Sequence, residues 1–188
     1  MAEVGKEVGG RGKRRVGDLS PQEVMALAIA IEEFNAVNYR ECADRFRPFD
    51  PAASKLLEEL AEEEIEHGET LRQAYYDRFG SFLYLVDPKT VDVSIEDFRL
   101  DMDHFFVVNK PMARKILWAA LQAEIHAKCF YEQVMAIAKD PALREVYSSL
   151  LVFEAGHVKS LKELGNVVFT KTENKGKGRK RIYFQLQP

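Results

Sequence analysis

The chain has 188 residues, 46% of them hydrophobic, and a net charge of −3, which suits one domain with a sizeable core and is short for two. Its two cysteines, Cys42 and Cys129, form no C-x-x-C pair, which argues against a disulfide framework, a zinc knuckle and a cysteine-bound iron site. No run of about 18 apolar residues is present to span a membrane, and the Gly- and charge-rich start lacks the apolar stretch of a secretory signal, so a cytoplasmic setting is expected.

Residues 1–18 carry five basic against three acidic groups and few apolar ones, and are expected to form a disordered basic tail. Ser20-Pro21-Gln22-Glu23 then places Ser at an N-cap, Pro at the first helical position and Glu at the third. This capping box predicts a helix running to about Phe46. Asp50-Pro51 opens a second helix by the same logic, and Gly80 closes it. Two long helices with so short a joint must lie antiparallel.

Residues 81–93, with Pro88, read as a loop. Ser94-Ile95-Glu96-Asp97 offers a capped start to a short helix reaching about Val108. Asn109-Lys110-Pro111 begins a third long helix lasting to about Lys139, and Asp140-Pro141 a fourth ending near Gly165. Residues 166–188 set six basic groups against Glu173 alone. They read as a basic flexible tail in solvent, with nucleic-acid binding not expected. The body, 19–165, is left with a net charge of −10.

Two stretches stand out within the body. Glu64-Ile65-Glu66-His67 and Glu154-Ala155-Gly156-His157 both read Glu-x-x-His. On a helix, positions i and i+3 share a face, so a carboxylate and an imidazole so placed can grip one cation together. Glu64 follows Leu60 and Ala61, and Glu154 follows Leu150 and Leu151, so both are expected to point inward. Glu62, Glu63 and Glu66 lie among other charges and read as solvated face.

The helix pairs form an internal repeat. A slide of 91 sets Glu33 on Glu124, Ala36 on Ala127 and Tyr39 on Phe130, and a slide of 90 sets Glu64 on Glu154 and His67 on His157. Helix one offers Glu32 and Glu33. Glu33, flanked by Ile29, Ala30, Ala36 and Val37, is the choice for the core, because Glu32 also neighbours the polar Asn35. On helix three Glu124 lies near Ala120, Leu121 and Ala127. His104 reads as a surface residue and His126 as peripheral. Trp118, Phe130 and Tyr131 read as packing, with Tyr131 two turns from Glu124.

Four bare carboxylates in one core would be untenable, since each buried ion costs several kcal/mol even after relaxation. Two divalent cations would neutralise Glu33, Glu64, Glu124 and Glu154, with neutral His67 and His157 completing the ligand set. Mixed carboxylate and imidazole ligation suits iron or manganese better than zinc.

A Glu from each of two helices with Glu-x-x-His from each of the other two resembles the ferritin-like di-iron carboxylate bundles. The runs Glu33-x-x-Ala36-x-x-Tyr39 and Glu124-x-x-Ala127-x-x-Phe130-Tyr131 are similar to rubrerythrin. The resemblance covers about residues 20–165. It implies an all-α, ferritin-like four-helix bundle made of two helix pairs, with a short extra helix between them. It also implies two iron ions, with manganese as the substitute, held by Glu33, Glu64, His67, Glu124, Glu154 and His157, with Glu64 and Glu154 as bridges. Ala127 stands where rubrerythrins carry a further metal-facing Glu, and no Cys-based iron domain is present in these 188 residues. The implied activity is oxidoreduction of peroxide, dioxygen or iron(II) in oxidative-stress or iron handling, with an unknown electron donor and a homo-oligomeric assembly. A di-iron hydroxylase of an organic substrate and an iron-storage module are the alternatives.

Overall fold

The computed structural model describes residues 13–80, 86–93 and 104–170. Four long helices dominate: α1 (Pro21–Phe46), α2 (Pro51–Phe79), α3 (Lys110–Ile137) and α4 (Pro141–Thr170). α1 packs chiefly on α2, and α3 on α4, so the bundle consists of two antiparallel pairs.

Each start obeys its local chemistry. Ser20 Oγ accepts from the Glu23 amide at 3.2 Å, and the Glu23 carboxylate accepts from the Ser20 amide at 2.8 Å. Asp50 caps α2 by accepting from the amides of Ala52 and Ala53. Asn109 caps α3 through the Met112 amide. After α2, Gly80 takes φ +89°, a left-handed conformation that side-chain-bearing residues adopt at a cost.

The structure departs from the expected boundaries in three places. Residues 13–18 are not free: Arg14 bridges in parallel to Val91, Val16–Asp18 form a 3-10 turn, and Val16 is buried. Residues 1–12 lie outside the described residues. α4 continues past Gly165 to Thr170 because Leu164, Val168 and Phe169 still pack on the core; the rest of the basic C-terminal segment lies outside. Of the short helix expected over 94–108, residues 94–103 are likewise outside, and 104–108 are not helical. Instead Val107 is buried, its amide donating to the Arg45 carbonyl at 2.9 Å. A 3-10 turn at Pro88–Thr90 lies between the helix pairs.

The hydrophobic core is split in two, and both parts draw on all four helices. One contains Tyr39, Phe46, Leu57, Ile116 and Leu161. The other contains Leu27, Leu71, Phe130, Tyr147 and Leu150. Between them, each helix contributes a buried carboxylate: Glu32, Glu64, Glu124 and Glu154.

Candidate metal centre

Glu64, Glu124 and Glu154 are fully buried, and His67 and His157 are 6% and 3% exposed. These five residues come together where the sequence places them. Glu33 does not. Its side chain is 48% exposed and ion-paired with Arg72, while the adjacent Glu32 is fully buried. The assignment of Glu33 to the core is therefore corrected to Glu32.

The reason lies in which neighbours face inward. Val37, counted as an apolar partner of Glu33, is 65% exposed, whereas Asn35, counted against Glu32, is 3% exposed. A polar neighbour here marks the inside, because the inside is itself polar at this level. The repeat carries the same signal at a slide of 92, which sets Glu32 on Glu124 and Tyr39 on Tyr131. Each Glu is followed seven residues later by a Tyr, two turns on along the same face.

The tyrosines cross over. The Tyr39 hydroxyl donates to Glu124 and the Tyr131 hydroxyl to Glu32, tying α1 to α3 in both directions. Burial first, and then the neighbouring carboxylates, push both hydroxyls well above the usual phenol range, so both remain proton donors.

Among the described residues the ligand atoms form two overlapping sets of four, each within 4.8 Å, Glu32, Glu64, His67 and Glu154, and Glu64, Glu124, Glu154 and His157, and a smaller group of Glu64 with both imidazoles, His67 and His157. Glu64 and Glu154 belong to both sets of four. The imidazole rings lie 5.4 Å apart and nearly parallel. His67 Nδ1 is 3.4 Å from Glu32 Oε2, and His157 Nδ1 is 3.1 Å from Glu64 Oε1 and 3.3 Å from Glu124 Oε2.

The surroundings of the two imidazoles differ. His157 Nε2 is 2.8 Å from Glu63 Oε2. Glu63 is half exposed, as expected for the solvated face, yet reaches across to α4. The slide of 90 sets Phe153 on Glu63, and the Phe153 ring lies 4.8 Å from the His67 ring. One imidazole is anchored by a carboxylate and the other is covered by an aromatic ring. His126 and His104 lie outside both sets.

Electrostatics test whether this donor set fits cations. Glu32 Oε2, both oxygens of Glu64 and Glu154, Glu124 Oε2, and Nδ1 of His67 and His157 are buried without a hydrogen-bond partner. Burial and then the charge of Glu32 push Glu64 well above the usual carboxyl range. Burial and then the charge of Glu124 do the same to Glu154. Burial also opposes charge on Glu124, but the His157 imidazole 3.3 Å away, the adjacent Glu154 carboxyl and the Tyr39 hydroxyl outweigh it and hold that group low. On His157 burial is likewise outweighed, by its contacts with Glu124 and Glu63, and the imidazole is raised. Lone pairs converge with too few protons to satisfy them, the condition that two divalent ions would relieve.

A profile of the Rubrerythrin family matches residues 23–96, which span α1 and α2. A hypothetical protein from Pyrococcus furiosus superposes with a TM-score of 0.65 at 22% identity, covering 80% of this chain and 91% of that one. A putative ferritin-like diiron-carboxylate protein from Thermotoga maritima gives 0.59 at 18% identity, over 83% and 97% of the two chains. A bacterioferritin from Rhodobacter capsulatus, with a metal-free dinuclear site and a haem iron, gives 0.59 at 18%, over 78% and 83%. At these identities the structures speak for the fold. Over 32 residues the chain is also 59% identical to the alanyl-tRNA editing protein AlaX-M of Saccharolobus solfataricus. That match spans 17% of this chain and 14% of the relative's length, too little to carry an activity across. With its four-helix architecture and the profile match over its first helix pair, the chain has a ferritin-like fold and is similar to rubrerythrin over α1 and α2.

Proposed function

We propose that the chain is a dinuclear iron oxidoreductase acting on peroxide, dioxygen or iron(II), with manganese as the substitute ion. The observation that carries this reading is the pair of overlapping carboxylate and histidine sets sharing Glu64 and Glu154. Glu32 and His67 would hold one ion, Glu124 and His157 the other, with Glu64 and Glu154 between them. Two such ions supply one-electron redox steps and Lewis acidity to a small oxidant.

The remaining roles fall to the chain's own residues. Tyr131 and Tyr39 hold Glu32 and Glu124 in place by donating to them. Glu63 orients the His157 ring, as carboxylates behind metal-bound histidines do. Phe153 covers His67 and limits water on that side. A cavity of about 290 Å³ between α1 and α2 reaches Glu64 past Glu33, Arg40, Glu69 and Arg72. Its size, near the lower limit of small-molecule sites, and its charged walls favour an ion or peroxide over the organic substrate of a hydroxylase.

Anaerobic titration with iron(II), followed by stopped-flow mixing with hydrogen peroxide or dioxygen, tests the reading. Two ions per chain, oxidised faster than free iron(II) in the same buffer and without an organic co-substrate, are expected. Absence of bound iron, or oxidation only at the rate in buffer, would refute it.

A further inference from the structure

The cavity between α1 and α2 grades inward from open to sealed. Val37, Arg40, Glu69 and Arg72 are exposed or half-exposed, Ala36 and Gly68 are buried, and Glu64 is fully buried. Both Glu64 oxygens are closed to solvent and lack a hydrogen-bond partner. The cavity thus ends on the carboxylate layer without exposing it.

Gly68 is a second, independent observation. Glycine inside a helix is less stable than alanine, and a close approach of backbone to a neighbour is a common reason for it. Here a Cβ would meet Glu32 Cβ at 3.7 Å and Glu33 Cγ at 4.0 Å, which are ordinary contacts. Packing does not require this glycine. What a methyl group would remove is space in the cavity, one helical turn from Glu64.

The walls indicate what could use that space. Glu33 on α1 pairs with Arg72 on α2, and both line the cavity, so the pair ties its two sides together near the opening. The other charged groups of the outer lining are Glu69 and Arg40. Opposite signs in equal number give no net field to draw in an ion, and a cation would have to pass both guanidiniums. An uncharged species meets no such barrier. The carboxylates accept and the guanidiniums donate, which suits hydrogen peroxide, a donor and acceptor at both ends, over dioxygen.

Resting on the dinuclear reading, we propose that this cavity is the passage by which hydrogen peroxide reaches the Glu64 side of the ligand set. The Glu33–Arg72 pair is the tie that must part, and Gly68 keeps the passage open.

Thiol kinetics on the full, metal-free chain test the passage apart from the metal. Ala36→Cys, at a lining position 5% exposed, is combined with Cys129→Ser, which removes the exposed native thiol. The buried Cys42, its thiol pushed up to about 12 by burial, stays inert. The probes are hydroxyethyl, aminoethyl and sulfonatoethyl methanethiosulfonate, which are uncharged, cationic and anionic and of similar length. Relative to a free thiol in solution, the uncharged reagent should react fastest at position 36. Adding Gly68→Ala should slow that reaction severalfold; the methyl group fits and favours the helix, so the loss would not reflect misfolding. Adding Glu33→Gln should speed it by up to about fivefold, the factor set by the strength of an exposed ion pair. With Ala36 in place and iron(II) bound, Gly68→Ala and Glu33→Gln should shift the rate of oxidation by peroxide in the same two directions at unchanged iron content. No preference for the uncharged reagent, or rates indifferent to both variants, would overturn the passage even where two ions bind. Absence of bound iron would instead remove the dinuclear reading, and the role of the passage with it.

Discussion

Replacing Glu32 by Ala, beside Glu33→Ala, discriminates between two adjacent carboxylates with opposite surroundings. Glu32 belongs only to the set containing His67, so its loss should empty that position and leave Glu64, Glu124, Glu154 and His157 able to hold one ion. An ion present at 1,000 times its dissociation constant stabilises the folded chain by about 4 kcal/mol. For a chain of this length each kcal/mol moves the melting temperature by about 2–4 °C, so one ion contributes about 8–16 °C. Glu32→Ala should forfeit that share of the metal-induced shift. Without metal its effect should be smaller: Tyr131 loses its acceptor at a cost of about 1–3 kcal/mol, but the repulsion acting on Glu64 is relieved. Glu33→Ala removes an exposed pair with Arg72, worth about 0–1 kcal/mol, and should leave the metal-induced shift intact. Calorimetric melting with and without anaerobic iron(II), with elemental analysis, reads both quantities. Two ions retained by Glu32→Ala, together with loss of an ion by Glu33→Ala, would refute the geometry.

Glu63→Gln should lower affinity for the ion next to His157 by about 10–100-fold while the other position still fills, visible as two separated steps in isothermal titration. Tyr39→Phe and Tyr131→Phe should each cost about 1–3 kcal/mol in denaturant unfolding of the metal-free chain, without reducing the number of ions bound after reconstitution. The metal-free chain should lose stability as pH rises. Glu64, Glu154 and His157 all have folded pKa values raised above their ordinary ones, so the folded state holds extra protons and gives them up as pH climbs through those raised values. Glu124 and Glu23 are lowered, Glu23 to about 2 through Arg14, and act only as pH falls below the ordinary carboxyl range. Metal competes with the same protons, so the stability gap between loaded and empty protein should widen from pH 5 to 8. A gap that narrows would contradict the assigned shifts.

The helices were legible because their punctuation is local: Ser20-Pro21, Asp50-Pro51, Asn109 and Gly80 each act within one turn. Both Glu-x-x-His faces were legible because leucines and alanines flank them. The phase of α1 was not. An exposed Val37 and a buried Asn35 invert the usual link between polarity and surface, so the apolar neighbours of α1 point to Glu33 while the buried acid is Glu32. The Glu-x₆-Tyr spacing shared by Glu32 with Tyr39 and Glu124 with Tyr131 carried the missing information. The role of Glu63 was not readable either, since its partner His157 lies on α4, 94 residues away, and nothing local to α2 announces the contact. Likewise Arg14, two residues before the buried Val16, is bridged to Val91, 77 residues on, in a stretch that composition alone represents as a tail.

The divided core has a thermodynamic consequence. Both apolar clusters are complete in themselves, each drawing on all four helices, so each can remain intact while the polar layer between them loosens. Emptied of cations, that layer repels itself, and amide hydrogen exchange in the central turns around Asn35, Glu64, Glu124 and Glu154 should proceed through local opening while both ends stay protected. With two ions across the four helices, the central turns can open only by releasing metal, and their exchange becomes tied to global unfolding. Metal occupancy would then decide whether the bundle unfolds as one cooperative unit or as two.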